Sequence, residues 1–217
     1  DFVFDISHLS EEMQAYLPLL GKIISGMGAA GYTYDEMAKC IALKMGGFGC
    51  DVGAGFSADG NACWQKMIIS GAALYRNLPE ALNIVSDLIS AGDLSNEARM
   101  FDLIAERKNN LQSAIVPSGH IFARRTAGAA LTLPAYRDEQ WNGRTQLRFI
   151  QQTARCYSSI KKELAEKLAQ LKKMIFSRDN LLLNITADKS GLDIAENNIH
   201  GLLNKLPATV NKQPQTP

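Results

Sequence analysis

Residues 48–70 constrain the fold of this chain more than any other stretch. Phe48 to Phe56 and Asn61 to Ser70 read as two strands around Ser57-Ala58-Asp59-Gly60, and an Asp-Gly pair tolerates the positive φ that a tight hairpin needs. Well ahead of this hairpin, Phe2, Phe4 and Ile6 alternate with Val3, Asp5 and Ser7, which predicts a short strand. Far behind it, Leu181, Leu183, Ile185 and Ala187 alternate with Leu182, Asn184 and Thr186, which predicts a returning strand. The intervening sequence is patterned for helices. A hairpin, an early strand and a late one, separated by helices, make an α+β domain: a mostly antiparallel sheet with helices packed on one face. No repeat of about 20–50 residues argues for a solenoid.

The helices announce themselves through caps and stripes. Ser10, followed by Glu11 and Glu12, predicts an N-terminus near Leu9. That helix is apolar through Tyr16, Leu17, Leu19, Leu20, Ile23 and Ile24, with a kink at Pro18, and fades at Gly26-Met27-Gly28. Thr33-Tyr34-Asp35-Glu36 is a capping box that opens a second helix running to Met45 and stopped by Gly46-Gly47. Asn77-Leu78-Pro79-Glu80 opens a third, with Ala81, Ile84, Val85, Leu88 and Ile89 on one face and Gly92 at its end. Ser95 caps a longer helix whose expected face is Phe101, Ile104, Leu111 and Ile115. Pro117 and Gly119 interrupt it before Phe122 to Leu133; further helix is expected over residues 140–155 and, separately, Ile160 to Ile175. Ser190-Gly191-Leu192-Asp193 opens a last helix ending near Leu206-Pro207. Residues 1–207 therefore read as a single domain, and Ala208 to Pro217, with two prolines and no packed face, as a linker or tail.

With 217 residues and 46% hydrophobic content, the chain is large enough to bury a sizeable core. Its formal net charge of +1 gives no global field for nucleic acid, an anionic membrane or an acidic substrate, so a charge-driven partner needs a local patch. The longest apolar runs fall far short of the ~20 residues of a membrane-spanning helix, and Asp1-Phe2-Val3-Phe4-Asp5 carries no targeting signal. A chain opening directly on a strand is expected to be an excised domain with more polypeptide upstream. Four cysteines, Cys40, Cys50, Cys63 and Cys156, at irregular spacing read as reduced thiols of a cytosol-like compartment rather than a disulfide framework. The expected location is cytoplasmic, or an organelle matrix for a eukaryotic source.

No constellation of catalytic residues stands out. His8, His120 and His200 are far apart. His8-Leu9-Ser10-Glu11-Glu12 superficially resembles H-x-x-E-H, but Glu12 occupies the second ligand position, and a plain histidine beside a helix start is the expectation. His120 is expected to hydrogen-bond free backbone groups at a helix break. Cys40, Cys50 and Cys63 read as small buried groups on a helix and two strands. Gly46-Gly47-Phe48-Gly49 and Gly53-Ala54-Gly55 lack a nucleotide fingerprint and read as turn and close strand packing. Arg124, Arg125, Arg137, Arg144, Arg148 and Arg155 are opposed only by Asp138 and Glu139, so this region either faces acidic peptide or a partner domain, or is a solvated helix face. Lys161, Lys162, Lys167, Lys172 and Lys173 alternate with Glu163 and Glu166, as in a helix face with i,i+4 pairs such as Glu163 with Lys167.

Several pieces then coincide. The stretch from Leu17 through Gly28, the capped helix Thr33 to Lys44, the stop at Gly46-Gly47, the hairpin, and Leu94-Ser95 leading to Ser118-Gly119-His120 with Ala123 and Arg124 resemble an internal domain of the insulinase or pitrilysin superfamily of zinc metallopeptidases, in its presequence-protease branch. The resemblance covers about Asp1 to Pro207. It implies a LuxS/metalloprotease-like half-domain, one of four arranged as two half-shells around a closed chamber. The family's zinc site is an inverted H-x-x-E-H on the first helix, where two histidines bind the metal and the glutamate activates water. The resemblance sets that motif opposite Tyr16-Leu17-Pro18-Leu19-Leu20-Gly21-Lys22-Ile23-Ile24, which has no histidine and no glutamate. No catalytic, cofactor-binding or metal-ligating residue is therefore assigned to this chain, and zinc is expected only in the catalytic domain of the parent protein.

The resemblance thus implies the third, non-catalytic domain of a larger zinc metalloendopeptidase that degrades unfolded peptides. Its partners would be the other domains of the same polypeptide and peptide substrate in the chamber, with no role for nucleic acid or membrane. Two alternatives stay open: a metal-free structural or assembly subunit of the same superfamily, and an unrelated α+β peptide-binding module.

Overall fold

A computed structural model describes residues 1–209. Strand β1, Phe2–Asp5, buries Phe2 and Phe4 and turns Val3 and Asp5 the other way, the period of two expected of a half-buried strand. The single kinked helix expected after it is two helices, α1 over Glu11–Gln14 and α2 over Leu17–Gly26. Pro18 lies in the first turn of α2, where a missing N–H breaks no hydrogen bond, so it starts a helix instead of kinking one. Ser10 holds the N-cap position of α1 with extended backbone but makes no side-chain cap. Buried Gln14 fills the junction, its Nε2 donating to the Ile6 carbonyl at 3.0 Å.

Helix α3, Tyr34–Lys44, carries the expected capping box: the Glu36 N–H donates to Thr33 Oγ1 at 3.3 Å and the Thr33 N–H to Glu36 Oε2 at 2.9 Å. Strands β2, Gly47–Phe56, and β3, Cys63–Ala72, form the antiparallel hairpin, with Gly60 at φ +74° in its turn. β1 pairs antiparallel with β3, and on its other side with β4, Leu181–Leu183, so the order is β2-β3-β1-β4. β4 is shorter than the alternation through Ala187 suggested. It faces β1, which is only four residues long, so the ladder runs out; one more bond follows, from Asn184 N–H to the Asp1 carbonyl at 2.9 Å.

A 3₁₀ turn at Tyr75–Asn77 leads into α4, Leu78–Ser90. Asn77 does not cap it; its amide instead reaches the Lys44 carbonyl at the end of α3. Helix α5, Glu97–Ala114, is capped by Asn96 rather than Ser95, and its core face is Met100, Leu103 and Ile104. Of the expected stripe, Ile104 is fully buried and Leu111 packs against the core, while Phe101 and Ile115 are 42% and 40% exposed: half of it lies on the face that packs. Helices α6, Gly119–Gly128, and α7, Leu133–Asn142, precede α8, which runs unbroken from Arg144 to Ile175. The division expected between residues 155 and 160 falls instead at Gly143, where an added Cβ would lie 2.5 Å from the Glu139 carbonyl oxygen. Helix α9, Lys189–Lys205, is capped by Asp188, which accepts from the Gly191 N–H at 2.8 Å, while Ser190 only donates to Asp188. The Ala208 carbonyl still accepts from Asp179 N–H at 3.2 Å; the rest of the expected tail, 210–217, lies outside the described residues.

The fold is α+β, with a four-stranded antiparallel sheet. One sheet face carries Phe2, Phe4, Gln65, Met67 and Ile69, all buried, under helices that include α2 and α7. α2 lies so close that a Cβ on Gly21 would be 3.0 Å from the Cys50 carbonyl oxygen. The opposite face, with Val3, Asp51, Trp64, Lys66, Ile68 and Leu182, holds no buried residue.

Candidate functional surfaces

Helix α2 is the element that the resemblance sets opposite the inverted zinc motif. Leu17, Leu19 and Leu20 are fully buried and Ile23 and Ile24 nearly so; the one polar side chain among them, Lys22, reaches outward to Glu106 at 2.6 Å. Zinc needs imidazole, thiolate or carboxylate donors converging at about 2.0–2.3 Å, and α2 supplies none, so the metal does not fit here. Among the described residues no three His, Cys, Asp or Glu side chains come together in a ligating group.

The histidines are scattered. His8 Nε2 lies 3.1 Å from the Met174 carbonyl and Nδ1 lies 3.6 Å from Asp5 Oδ2, so this side chain ties the β1–α1 junction to the end of α8. Glu11 and Glu12, its neighbours in the metal-like string, are used elsewhere, on Arg137 at 2.6 Å and Lys167 at 2.7 Å. His120 and His200 are exposed. No hydrogen bond from His120 occurs among the described residues; its ring projects from the first turn of α6 instead of reaching the backbone.

The cysteines are all free thiols. Cys50 lies beneath α2, and burial, with Asp51 adding a smaller push, raises its thiol to about 12, which leaves it unreactive at neutral pH. By surface area Cys40 and Cys50 are both half-buried, and Cys63 is exposed at the start of β3, so the expected burial holds fully for none of the three. The strand glycines do pack closely: Trp64 lies across Gly53 and Gly55, its indole N–H donates to the Phe56 carbonyl at 3.1 Å, and a Cβ on Gly55 would meet the ring at 2.5 Å.

The arginine-rich stretch divides into two populations. Arg137 is 5% exposed and joins α7 to the sheet and to α1: Nε donates to Gln65 Oε1 at 2.7 Å, Nη1 to Gln140 Oε1 at 2.7 Å, and Nη2 lies 2.6 Å from Glu11 Oε1. The hydrogen bond from Arg137 holds the Glu11 carboxyl below its ordinary range. Arg125 is engaged by Asp138 at 2.9 Å. Arg124, Arg144, Arg148 and Arg155 are exposed and have no ion pair among the described residues. Arg144 and Arg148 border a groove between α6 and the start of α8 whose floor includes Phe122 and Leu147. Periodicity does not reveal either feature, since each depends on how elements distant in sequence meet; the local signal is the run of arginines with few acids.

The lysine face of α8 is paired in part: Lys161 meets Glu97 at 2.5 Å and Lys167 meets two carboxylates, whereas Lys172 is half-buried and donates to the Gly92 carbonyl at 3.4 Å. Lys167 meets Glu163 at 3.1 Å, one helical turn away, and Glu12 at 2.7 Å; hydrogen bonding to Glu12, then to Glu163, raises the pKa of its ammonium. No helix of the described residues is long and apolar enough to cross a membrane.

Comparison with known proteins gives a consistent picture. Residues 1–152 match a family model described as peptidase M-16C associated. A mitochondrial presequence protease of Danio rerio is 29% identical over 188 residues, covering 85% of this chain and 18% of that protein. Presequence protease 1, chloroplastic/mitochondrial, of Arabidopsis thaliana is 21% identical over 208 residues, 95% of this chain and 19% of its own. Protein HypA of Clostridium perfringens is 23% identical over 207 residues, 94% of this chain and 21% of its own. The chain thus spans about a fifth of the length of the curated relatives it matches.

Proposed function

Because the chain belongs to the peptidase M-16C associated family, we propose that it is the non-catalytic, chamber-forming domain of a larger insulinase-like zinc metalloendopeptidase that degrades unfolded peptides. The observation that carries this reading is α2: where the peptidases present zinc ligands, this chain presents Leu17, Leu19, Leu20 and Ile23 to its own core. Metal chemistry then belongs to another domain, and this one contributes shape. Its sheet face without buried residues, with apolar Val3, Ile68 and Leu182 among Asp51 and Lys66, is the broad surface available to wall a cavity that holds extended peptide. In this reading residues 1–207 act as one unit, residues 208–217 lead toward further polypeptide, and the partners are the other domains and the enclosed peptide, without nucleic acid or membrane. The eukaryotic relatives' printed names place them in mitochondria or chloroplasts, which supports a matrix or cytosol-like compartment.

The test is zinc content and peptide cleavage, measured on the full-length gene product and on this chain alone. The full-length protein should contain an H-x-x-E-H helix and cleave unfolded peptide in a chelator-sensitive way, and this chain alone should do neither. Chelator-sensitive cleavage by this chain would overturn the non-catalytic reading. A full-length protein without the zinc motif would replace the peptidase with a metal-free assembly subunit.

A further inference from the structure

The groove between α6 and the first turns of α8 is a surface that the fold itself leaves unused. Its volume is about 650 Å³. Phe122 and Leu147 form an apolar floor, Ile115 closes one end, and the α6 wall is kept low by Ala123 and Ala127, one helical turn apart. Small residues at that spacing let another helix approach closely.

The charge around this groove is one-sided. Its lining contains Arg144 and Arg148 and no acidic residue, and the stretch from Ile115 to Gln151 that supplies the lining has five arginines and only two acidic residues, Asp138 and Glu139. Both acids are already engaged: Asp138 accepts from Arg125 at 2.9 Å and from Asn142 at 3.1 Å, and buried Glu139 accepts from the Thr145 N–H at 3.1 Å. Arg144 and Arg148 therefore stand one turn apart on the rim of an apolar slot without a counter-charge among the described residues. Arg144 is also the first residue of α8, a position where the helix dipole disfavours a cation, in part offset by the buried Glu139 carboxylate on the Thr145 N–H.

We propose that this groove docks an acidic amphipathic helix from another part of the same polypeptide, its apolar stripe over Phe122 and Leu147 and carboxylates one turn apart on Arg144 and Arg148. Arginine suits this role because its guanidinium grips a carboxylate through two parallel hydrogen bonds. The proposal rests on the reading of this chain as one domain of a longer peptidase. The relatives extend far beyond the matched region, which covers 18–21% of their length, and a helix tethered in the same chain meets the groove at high effective concentration.

The experiment uses the full-length protein with a benzophenone amino acid in place of Gln151, which lines the groove without forming its low wall, irradiated and mapped by mass spectrometry. The expected cross-link joins position 151 to an Asp- or Glu-bearing helix elsewhere in the same polypeptide. It should be lost in the Arg144→Glu/Arg148→Glu double variant and kept in Arg144→Lys/Arg148→Lys. A cross-link to a second copy, to added substrate peptide only, or to nothing overturns the proposal, as does one that survives charge reversal. Zinc content and peptidase activity of the same sample separate the two readings: an active zinc peptidase without the cross-link removes the docking site alone, and a full-length chain with no zinc motif removes the functional reading.

Discussion

Helices α2 and α6 are each ten residues long, yet the fold uses them in opposite ways. α2 buries Leu17, Pro18, Leu19, Leu20, Gly21, Ile23 and Ile24. α6 buries Phe122 alone. A surface consumed by packing cannot also present chemistry, so the missing zinc ligands on α2 belong to a helix whose positions are taken by the core. A surface that packing does not consume is available to a partner, and the basic rim around α6 and α8 gives that partner a sign.

The widest test of this contrast is a pair of small substitutions. Leu20→Ala removes a fully buried side chain between α2 and the sheet and should cost about 2–5 kcal/mol. Ala127→Ser on exposed α6 should stay within about 0.5 kcal/mol. Urea unfolding of both variants measures the difference, and comparable losses would break the comparison, because α6 would then be supporting the fold as α2 does.

Arg137 sits between these extremes, a charge from the arginine-rich stretch drawn into the core. Arg137→Ala strands Gln65 and Gln140 in a buried setting and should cost about 1–3 kcal/mol, with Arg137→Met less damaging because it keeps much of the volume. The same contact carries a pH signature. Glu11 has a folded pKa below its ordinary value of 4.5, chiefly through the Arg137 hydrogen bond. Its contribution is therefore fully present above the unfolded value and lost as pH falls through the folded one. Stability profiles should separate wild type from Arg137→Met above about pH 4.5 and bring them together in acid; parallel profiles would assign the pair no linkage.

What can be read from the sequence follows the range of the interaction that decides it. The Thr33–Glu36 capping box spans three residues and is legible in full. So is the hairpin turn, set by Asp59 and Gly60. Pro18 reads as a kink in the sequence because its meaning depends on where the previous helix stops, and that stop is set by Gln14 bonding back to Ile6 across the junction. The cap of α9 is displaced from Ser190 to Asp188, which also accepts a hydrogen bond from the Tyr75 hydroxyl at 2.7 Å, a contact from 113 residues away. On α5 the expected stripe holds in part: Ile104 and Leu111 pack, whereas Phe101 and Ile115 stay exposed and Met100 and Leu103 join the core in their place. Arg137 is indistinguishable from its exposed neighbours until Gln65 and Glu11 arrive from other elements. The absence of zinc ligands in the window Tyr16–Ile24 is plain in the sequence; that this window is core needs the sheet beneath it.

The smallest expected effect cuts the comparison most finely. If α2 is shaped by the fold and the α6–α8 groove by a partner, some groove residue should be worse for stability than its replacement. Arg144 is the candidate: it opens α8, whose first turn holds no acidic residue, and it has no ion pair among the described residues. Arg144→Glu should therefore stabilise this chain by about 0.3 kcal/mol, the low end of the helix-dipole range because the Glu139 carboxylate already accepts from the Thr145 N–H at this end, read as a small rise in Tm that shrinks with added salt. A variant that is more stable alone, yet loses the groove cross-link in the full-length protein, would mean that position 144 serves association at the expense of folding. A destabilised variant would mean that Arg144 supports its own helix, and the groove would then differ from α2 only in how completely it is packed.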